Sequence, residues 1–187
     1  NLCAPSTAVQ TFLYKLTNTK PDGATLFAHF FSSIKLSLAG FVLAVVIGIP
    51  LGLFMGYYKG MDSFFTPLFE VVRPIPPIAW IPIVILTLGI GFKAKVFIIF
   101  ISAFVPCVVN SYLGIKLTDP TLIDVAQTFG ASRWQIFRTI CIPSSMNMVF
   151  TGVRVSLAAS WSTLVAAEML ASTKGLGYMI QIGRNLI

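Results

Sequence analysis

Polar side chains inside an apolar stretch near the end of the chain have the strongest potential for chemistry. Ser156, Ser160 and Thr163 are spaced i, i+4 and i+7, which places their hydroxyls on one face of a helix. Beside a positive charge, such hydroxyls suit a small oxyanion. The candidates in this stretch are Arg154, Ser156, Ser160, Trp161, Thr163 and Glu168. The alternative is that the hydroxyls join helices in a membrane and the arginine extends to the membrane surface.

Enzymatic chemistry is not indicated elsewhere in the sequence. Cys3, Cys107 and Cys141 are far apart and His29 is the only histidine, so we expect neither a disulfide framework nor a metal site. The sequence has no G-x-x-x-x-G-K-[ST] motif for nucleotide phosphates. It also lacks a Ser/His/Asp set or paired carboxylates in a helical context. We therefore expect no intrinsic catalysis, no metal and no cofactor.

Composition points to a membrane protein. The 187 residues are 56% hydrophobic and 10% charged, whereas a soluble domain is roughly 25% charged. Thirteen Lys and Arg with six Asp and Glu cannot cover the surface of a soluble globule of this size, which excludes a soluble enzyme. The net charge of +7 is spread singly at the ends of apolar runs. That placement suits lipid headgroups and offers no basic surface for a nucleic acid.

Four apolar stretches predict an all-α, polytopic transmembrane helical bundle, because about 20 apolar residues cross a bilayer as a helix. They are residues 36–58, 74–92, 96–115 and 145–170. The second contains Pro74, Pro76, Pro77 and Pro82, which a regular helix cannot accommodate. It is either a span broken beside a cavity, or a bend at the membrane surface after an amphipathic helix over residues 64–72.

Small residues recur every four positions in the first stretch. They are Gly40, Ala44, Gly48, Gly52 and Gly56. A stripe of this kind lets a second helix approach closely in lipid. The spacing predicts a helix-packing face, and a role in lining a substrate path remains the alternative.

The segment between the third and fourth stretches predicts a helix–turn–helix hairpin outside the bilayer. Asp119 and Pro120 fit an N-cap and the first helical position. Apolar residues then recur with helical spacing until Gly130, which is typical of a helix end. Ser132 starts an S-x-x-Q capping box for a second helix. We expect this second helix to end at Pro143, and the apolar hairpin with its basic rim to contact either a groove on a partner or the lipid headgroups.

The same segment resembles a known family. Residues 124–131 read DVAQTFGA and residues 140–143 read ICIP, which resembles the EAA…G…I-x-L-P signature of permease subunits in binding-protein-dependent ABC importers. The sequence departs from the signature with Asp124 in place of Glu, Val125 in place of Ala and Ile142 in place of Leu. The runs GIPLG, RPIP, TGVR and GLGY resemble the family's landmarks in the same order, and AAEML resembles the nitrate, sulfonate, taurine and bicarbonate subfamily.

This resemblance implies the type I ABC importer permease fold over residues 1–187. Because the chain begins at Asn1 and typical members carry one further helix at each end, we expect a piece of a longer protein. Residues 120–142 are implied to be the coupling segment, with Gly130 allowing its tight turn. The residues implied in coupling are Asp124, Ala126, Gly130, Ala131, Ile140 and Pro143. For Asp124 the alternative is a solvated carboxylate near a helix N-terminus.

The resemblance also implies partners and a location. The partners are a cytoplasmic ATP-binding subunit, an extracytoplasmic substrate-binding protein, a second permease subunit (most simply in a homodimer) and membrane lipid. The location is the bacterial cytoplasmic (inner) membrane, with the hairpin in the cytoplasm. Lys and Arg are almost evenly divided between the two sides, so this orientation follows from the resemblance and not from charge.

The function implied is ATP-driven import by alternating access. The substrate expected is a small anion such as nitrate, a sulfonate, taurine or bicarbonate. Other functions stay open: a channel or secondary carrier without a nucleotide-binding partner, a structural membrane subunit, or an ABC permease for a thiamine-precursor or riboflavin-like nutrient. The capped hairpin favours the ABC permease, because a channel or secondary carrier does not need one.

Overall fold

The computed structural model describes residues 5–20 and 23–185, which form helices joined by short turns. The helices are α1 (Pro5–Thr17), α2 (Leu26–Tyr57), α3 (Lys59–Val72), α4 (Ile81–Leu88), α5 (Phe92–Lys116), α6 (Pro120–Thr128), α7 (Arg133–Ile136), α8 (Ile142–Ala171) and α9 (Leu176–Asn185). A 3-10 turn (Pro77–Trp80) precedes α4, and a π-helical turn (Phe137–Cys141) joins α7 to α8. The predicted all-α architecture is confirmed.

Within the described part of the chain, three helices are long and apolar enough to cross a bilayer. They are α2, α5 and the continuous helix Arg133–Met169. A fourth span is present only if α3 and the following Pro77–Leu88 count as one, and these two meet at 86°. The chain therefore bends after the amphipathic helix α3, as one of the two alternatives for residues 74–92 predicts, and the four expected spans are three, or four if the bent pair is counted as one. The prolines interrupt the backbone hydrogen bonds, so α3 ends at Val72 and the chain bends before α4.

The first spanning helix is longer than the sequence predicts. It begins at Leu26, ten residues earlier than expected, where Thr25 Oγ1 accepts a hydrogen bond from Ala28 N–H at 3.4 Å. Lys35 lies exposed on the helix surface. A long cationic side chain extends along apolar surface toward water, so this charge does not end the helix.

Helix α5 packs against both α2 and α8. The α2 face in this contact carries the small residues Gly40, Ala44, Gly48, Gly52 and Gly56. A Cβ atom on Gly40 would lie 2.6 Å from Ile99 Cγ2, and one on Gly56 would lie 2.6 Å from Ile115 Cβ. Both distances are shorter than real Cβ atoms allow, so the backbones of α2 and α5 approach closely only because these positions lack side chains.

The second helix of the hairpin was expected to end at Pro143, and this was wrong. Helix α7 continues through the π-helical turn into α8, and Pro143 lies in the first turn of α8. A proline in a helix lacks an N–H and clashes with the carbonyl four residues earlier. The wider π-helical turn immediately before it accommodates the proline without breaking the helix.

Candidate functional site

The turn of the hairpin is built from local caps. Asp119 Oδ1 accepts a hydrogen bond from Thr121 N–H at 2.9 Å, and Pro120 begins α6. At the other end Gly130 has φ +79°, a left-handed conformation that favours glycine. Ser132 and Gln135 form the capping box in both directions, at 3.3 and 2.8 Å. The three predicted caps are confirmed, and all of their hydrogen bonds are local to the hairpin.

Helix α6 has one packed side and one open side. Ile123 and Ala126 pack against the cluster of buried side chains around Phe137. The open side carries three large apolar side chains: Leu122, Val125 and Phe129. Phe129, at the tip of the hairpin, is 87% exposed. An exposed apolar ridge of this kind is typical of a docking surface.

Charged and polar groups occupy the other sides of α6. A groove of about 850 Å³ between α6 and the start of α3 is lined in part by Lys59, Gln127 and Arg133. Asp124 is exposed, and its carboxylate has no hydrogen bond or ion pair with any described residue. The open side of α6 therefore offers an apolar ridge with exposed Asp124 on the same helix, while the basic groups line a groove on the side of Ile123.

The other residues implied in coupling lie behind the ridge. Ala126, Ala131 and Ile140 are partly buried against the cluster formed by Ile115, Ile136, Phe137 and Cys141. Ala131 N–H also donates to Ala126 O at 3.0 Å, which closes the turn. Their contacts fix the position of the hairpin against α2 and α5.

An aromatic group connects the hairpin to the end of α2. Phe137, 2% exposed, stacks on Phe54 with ring centroids 5.3 Å apart and contacts Tyr57 at 5.0 Å. The Tyr57 hydroxyl donates a hydrogen bond to Arg133 O at 2.7 Å. We call Phe54, Tyr57 and Phe137, with this hydrogen bond, the aromatic clasp. The sequence alone does not reveal the aromatic clasp, because its members are far apart in the chain.

An ion pair connects α3 to the end of α5 on the same side of the molecule. Lys116 Nζ donates to Asp62 Oδ2 at 2.8 Å. The Tyr112 hydroxyl donates to the same oxygen at 3.3 Å, and Thr66 Oγ1 donates to Asp62 Oδ1 at 2.7 Å. Since both charged side chains are partly exposed, the pair adds only about 0–1 kcal/mol to stability and mainly orients α3.

The hydroxyls of Ser156, Ser160 and Thr163 in α8 are buried. Ser156 Oγ donates to Ala103 O at 2.8 Å, and Thr163 Oγ1 lies 2.7 Å from Ser102 Oγ. Ser160 Oγ donates to Ser156 O within the helix at 2.8 Å. The contacts of Ser156 and Thr163 join α8 to α5, which is the helix-packing alternative that the sequence left open, whereas the Ser160 hydroxyl bonds within α8.

Arg154 and Trp161 lie on the exposed surface of α8, away from the buried hydroxyls. The structure therefore divides the predicted polar group of α8 between two sides of the helix. Arg154 and Trp161 are exposed, whereas the hydroxyls of Ser156, Ser160 and Thr163 are buried.

Glu168 lies in a buried network that holds the turn between α8 and α9. Its side chain is 1% exposed and accepts hydrogen bonds from Ser33 Oγ at 2.7 and 2.9 Å and from Gly177 N–H at 3.0 Å. Gly175 N–H donates to His29 Nδ1 at 2.9 Å. Gly175 has φ +131° and lies against the Glu168 carboxylate, where a side chain would not fit. The carboxylate thus holds the positive N-terminal end of α9.

Sequence analysis did not include His29 and Ser33 in this network. A signal was available, because His29, Ser33 and Ser37 are spaced by four residues and extend the small-residue face of α2 toward its start. All three are buried. Polar residues on the buried face of a membrane helix need partners, and this requirement predicts contacts with another helix.

Known proteins show clear similarity to the chain. A family model described as "Binding-protein-dependent transport system inner membrane component" matches residues 48–186. The matched range includes the hairpin, the aromatic clasp and the whole of α8.

Three curated relatives illustrate the similarity. A probable ABC transporter permease protein of Brucella melitensis is 42% identical over 83% of this chain and 63% of its own length. The taurine transport system permease protein of Escherichia coli K12 is 37% identical over 89% of the chain and 62% of its own. A nitrate import permease protein of Synechocystis is 37% identical over 80% and 54%. The chain thus spans less than two thirds of the length of each relative.

Proposed function

Because the chain belongs to the family of binding-protein-dependent transport system inner membrane components, we propose that it is the permease subunit of an ATP-driven importer. In this function it forms part of the path by which a substrate crosses the inner membrane. ATP binding and hydrolysis belong to a cytoplasmic partner subunit. The permease contributes the path and the surface through which that partner acts on it.

The exposed ridge of α6 is the observation that carries this proposal. Phe129 is 87% exposed at the tip of a turn whose shape is set by caps on both sides. Exposing a large aromatic ring to water is unfavourable, and a docked partner would bury it. A rigid turn transmits a push from that partner, whereas a flexible loop would absorb it.

Residues 120–142 are accordingly the proposed coupling segment, and its members have two roles. Asp124 lies beside the ridge and contacts the ATP-binding subunit. Ala126, Gly130, Ala131, Ile140 and Pro143 hold the ridge in place against the membrane-spanning helices. Binding of ATP closes the partner subunits on one another, and the docked hairpins then change the tilt of the spanning helices.

The pathway residues are proposed as two groups. Arg154 and Trp161 lie on the exposed side of α8 and face the path, where the guanidinium attracts an anion. Ser156, Ser160, Thr163 and Glu168 are buried in contacts with α5, α2 and the α9 turn, so they act by holding α8 in position.

The substrate is proposed to be a small anion. The relatives include a taurine permease and a nitrate permease, and both of these compounds present negatively charged oxygens. An extracytoplasmic binding protein delivers the substrate, and a second permease subunit, most simply another copy of this chain, completes the path. A thermal-shift screen of that binding protein against taurine, nitrate, bicarbonate and alkanesulfonates identifies which anion is carried.

Co-purification tests the docking surface directly. The full-length permease with Phe129→Ser is expected to retain the ATP-binding subunit at least about tenfold more weakly than the wild type, because a central aromatic anchor of an interface typically contributes about 2 kcal/mol or more. The matched control is Phe64→Ser on α3, since Phe64 is also strongly exposed (72%) but lies outside the hairpin.

Equal retention by Phe129→Ser and the wild type would refute the docking role. Uptake into liposomes that proceeds without the ATP-binding subunit would refute the importer itself, and would favour a channel or secondary carrier.

A further inference from the structure

The hairpin has two kinds of connection to the membrane-spanning helices. To α8 it is joined by the backbone, through the π-helical turn. To α2 it is joined, among the residues that the structure describes, by non-covalent contacts that include the aromatic clasp. A force on the hairpin therefore reaches α8 through the chain itself, whereas it reaches α2 through packing.

The hydrogen bond in the clasp does more than satisfy a backbone group. Arg133 O already accepts the helical hydrogen bond from Phe137 N–H. A carbonyl oxygen has two lone pairs, and the Tyr57 hydroxyl occupies the second. The first turn of α7 would be fully bonded without Tyr57, so the consequence of this 2.7 Å contact is the position of α2 relative to α7.

Tyr57 is also the last residue of α2. Helix α2 has 32 residues, which corresponds to about 48 Å, enough to cross a bilayer. Phe137 contacts both Tyr57 and Phe54, one turn earlier on α2, so the clasp holds the final turn of α2 at two points. Movement of α7 is thereby converted into movement of the end of a spanning helix.

We propose that Tyr57 and Phe137 are positioning residues that transmit movement of the docked hairpin to α2. This inference rests on the proposed function, because it assumes that an ATP-binding subunit acts on the hairpin. It adds the route inside this chain. The route runs from the hairpin through the aromatic clasp to the end of α2, and then along the small-residue face of α2 to α5.

The chain provides a matched control at the next residue. Tyr58 also belongs to the aromatic surroundings of Phe137, with ring centroids 6.0 Å apart. Its hydroxyl has no hydrogen-bond partner among the described residues. Tyr57→Phe removes the hydroxyl that bonds to α7, and Tyr58→Phe removes one that does not. Both variants keep their rings and are expected to fold.

Hydrogen exchange of the full-length permease–ATPase complex in lipid nanodiscs tests the route without knowledge of the substrate. Trapping the ATPase with ADP and vanadate is expected to change exchange in the wild type both in residues 120–136 and in residues 54–59. In Tyr57→Phe the change at 120–136 persists, while the change at 54–59 falls by about two- to tenfold, the range expected for one lost hydrogen bond. Tyr58→Phe retains both changes.

A purely structural role of Tyr57 would alter basal exchange or yield but leave the nucleotide-dependent difference intact, and that result would overturn the inference. The inference would also be overturned if the nucleotide-dependent change in exchange at residues 54–59 were equal in Tyr57→Phe and Tyr58→Phe. If the wild type shows no nucleotide-dependent change at residues 120–136, docking itself is absent and the proposed function fails. If the wild type shows that change and Tyr57→Phe keeps the wild-type change at residues 54–59, the proposed function stands and only the route through the aromatic clasp is wrong.

Discussion

Replacement of Gly52 by alanine is expected to force α2 and α5 apart toward the C-terminal end of α2. The added Cβ would lie 2.7 Å from Ser111 Cβ and would clash with the Val108 carbonyl oxygen. Both neighbours belong to the α5 helix, one of them to its backbone, so neither can rotate away. The helices must separate, and their other close contacts along the same face loosen with them.

The size of the effect follows from the distances. Ordinary contacts of a Cβ atom begin at 3.4 Å, against 2.7 Å to Ser111 Cβ here, so α5 must move by about 0.7 Å. Overpacking of a tight contact typically costs about 1–3 kcal/mol. Alanine recovers up to about 1 kcal/mol through its higher helix propensity. Because two rigid helices must move together, we expect a net loss of about 1–2 kcal/mol in the free energy of unfolding.

The measurement is unfolding of the full-length permease in detergent micelles by SDS titration, followed by circular dichroism. Gly60→Ala is the control. Gly60 lies in the first turn of α3, where no heavy atom of the described residues outside its own helix lies within 4 Å of the added Cβ. This variant is expected to be as stable as the wild type or slightly more stable. A Gly52→Ala protein with wild-type stability would refute the close approach of α2 and α5.

Three further predictions concern the hairpin and α8. Glu168→Gln removes the negative charge of the group that accepts hydrogen bonds from Ser33 and from the start of α9. We expect the variant to be destabilised by about 1–3 kcal/mol and to show faster amide exchange in residues 175–177. Unchanged exchange would contradict this role. Ser132→Ala removes the capping box and is expected to lower the free energy of unfolding by about 1 kcal/mol, with faster exchange of the Gln135 amide. Equal exchange in the variant and the wild type would argue against the cap. Arg154→Gln is expected to lower anion uptake while the complex still assembles, and normal uptake would remove Arg154 from the path.

The parts of the fold that sequence analysis predicted correctly depend on neighbouring residues. Asp119, Gly130 and Ser132 each act within three residues of their own position, so residue type and spacing were sufficient. The amphipathic helix over residues 64–72 was predicted for the same reason. The structure extends it to Lys59–Val72.

The parts that were missed depend on distant partners. Glu168 is separated by 135 residues from Ser33, and Tyr57 by 76 from Arg133. A sequence pattern shows that a buried carboxylate needs donors, but it does not identify which helix supplies them. The end of the hairpin was mispredicted for a related reason. A proline such as Pro143 usually marks a helix end. Here a π-helical turn, which has no sequence signature of its own, accommodates the proline and the helix continues.

The π-helical turn between α7 and α8 also changes the phase of this long helix. An α-helix advances about 100° per residue, and a π-helical turn holds roughly one residue more than a regular one. Side chains after Cys141 are therefore rotated by about a quarter of a revolution relative to an uninterrupted helix. This offset allows Ile136 and Phe137 to lie in the cluster with Ile115. It also allows Ser156, further along the same continuous helix, to bond to Ala103 of α5. Removing one residue from the π-helical turn would restore regular winding and turn one of these two surfaces away from its neighbour.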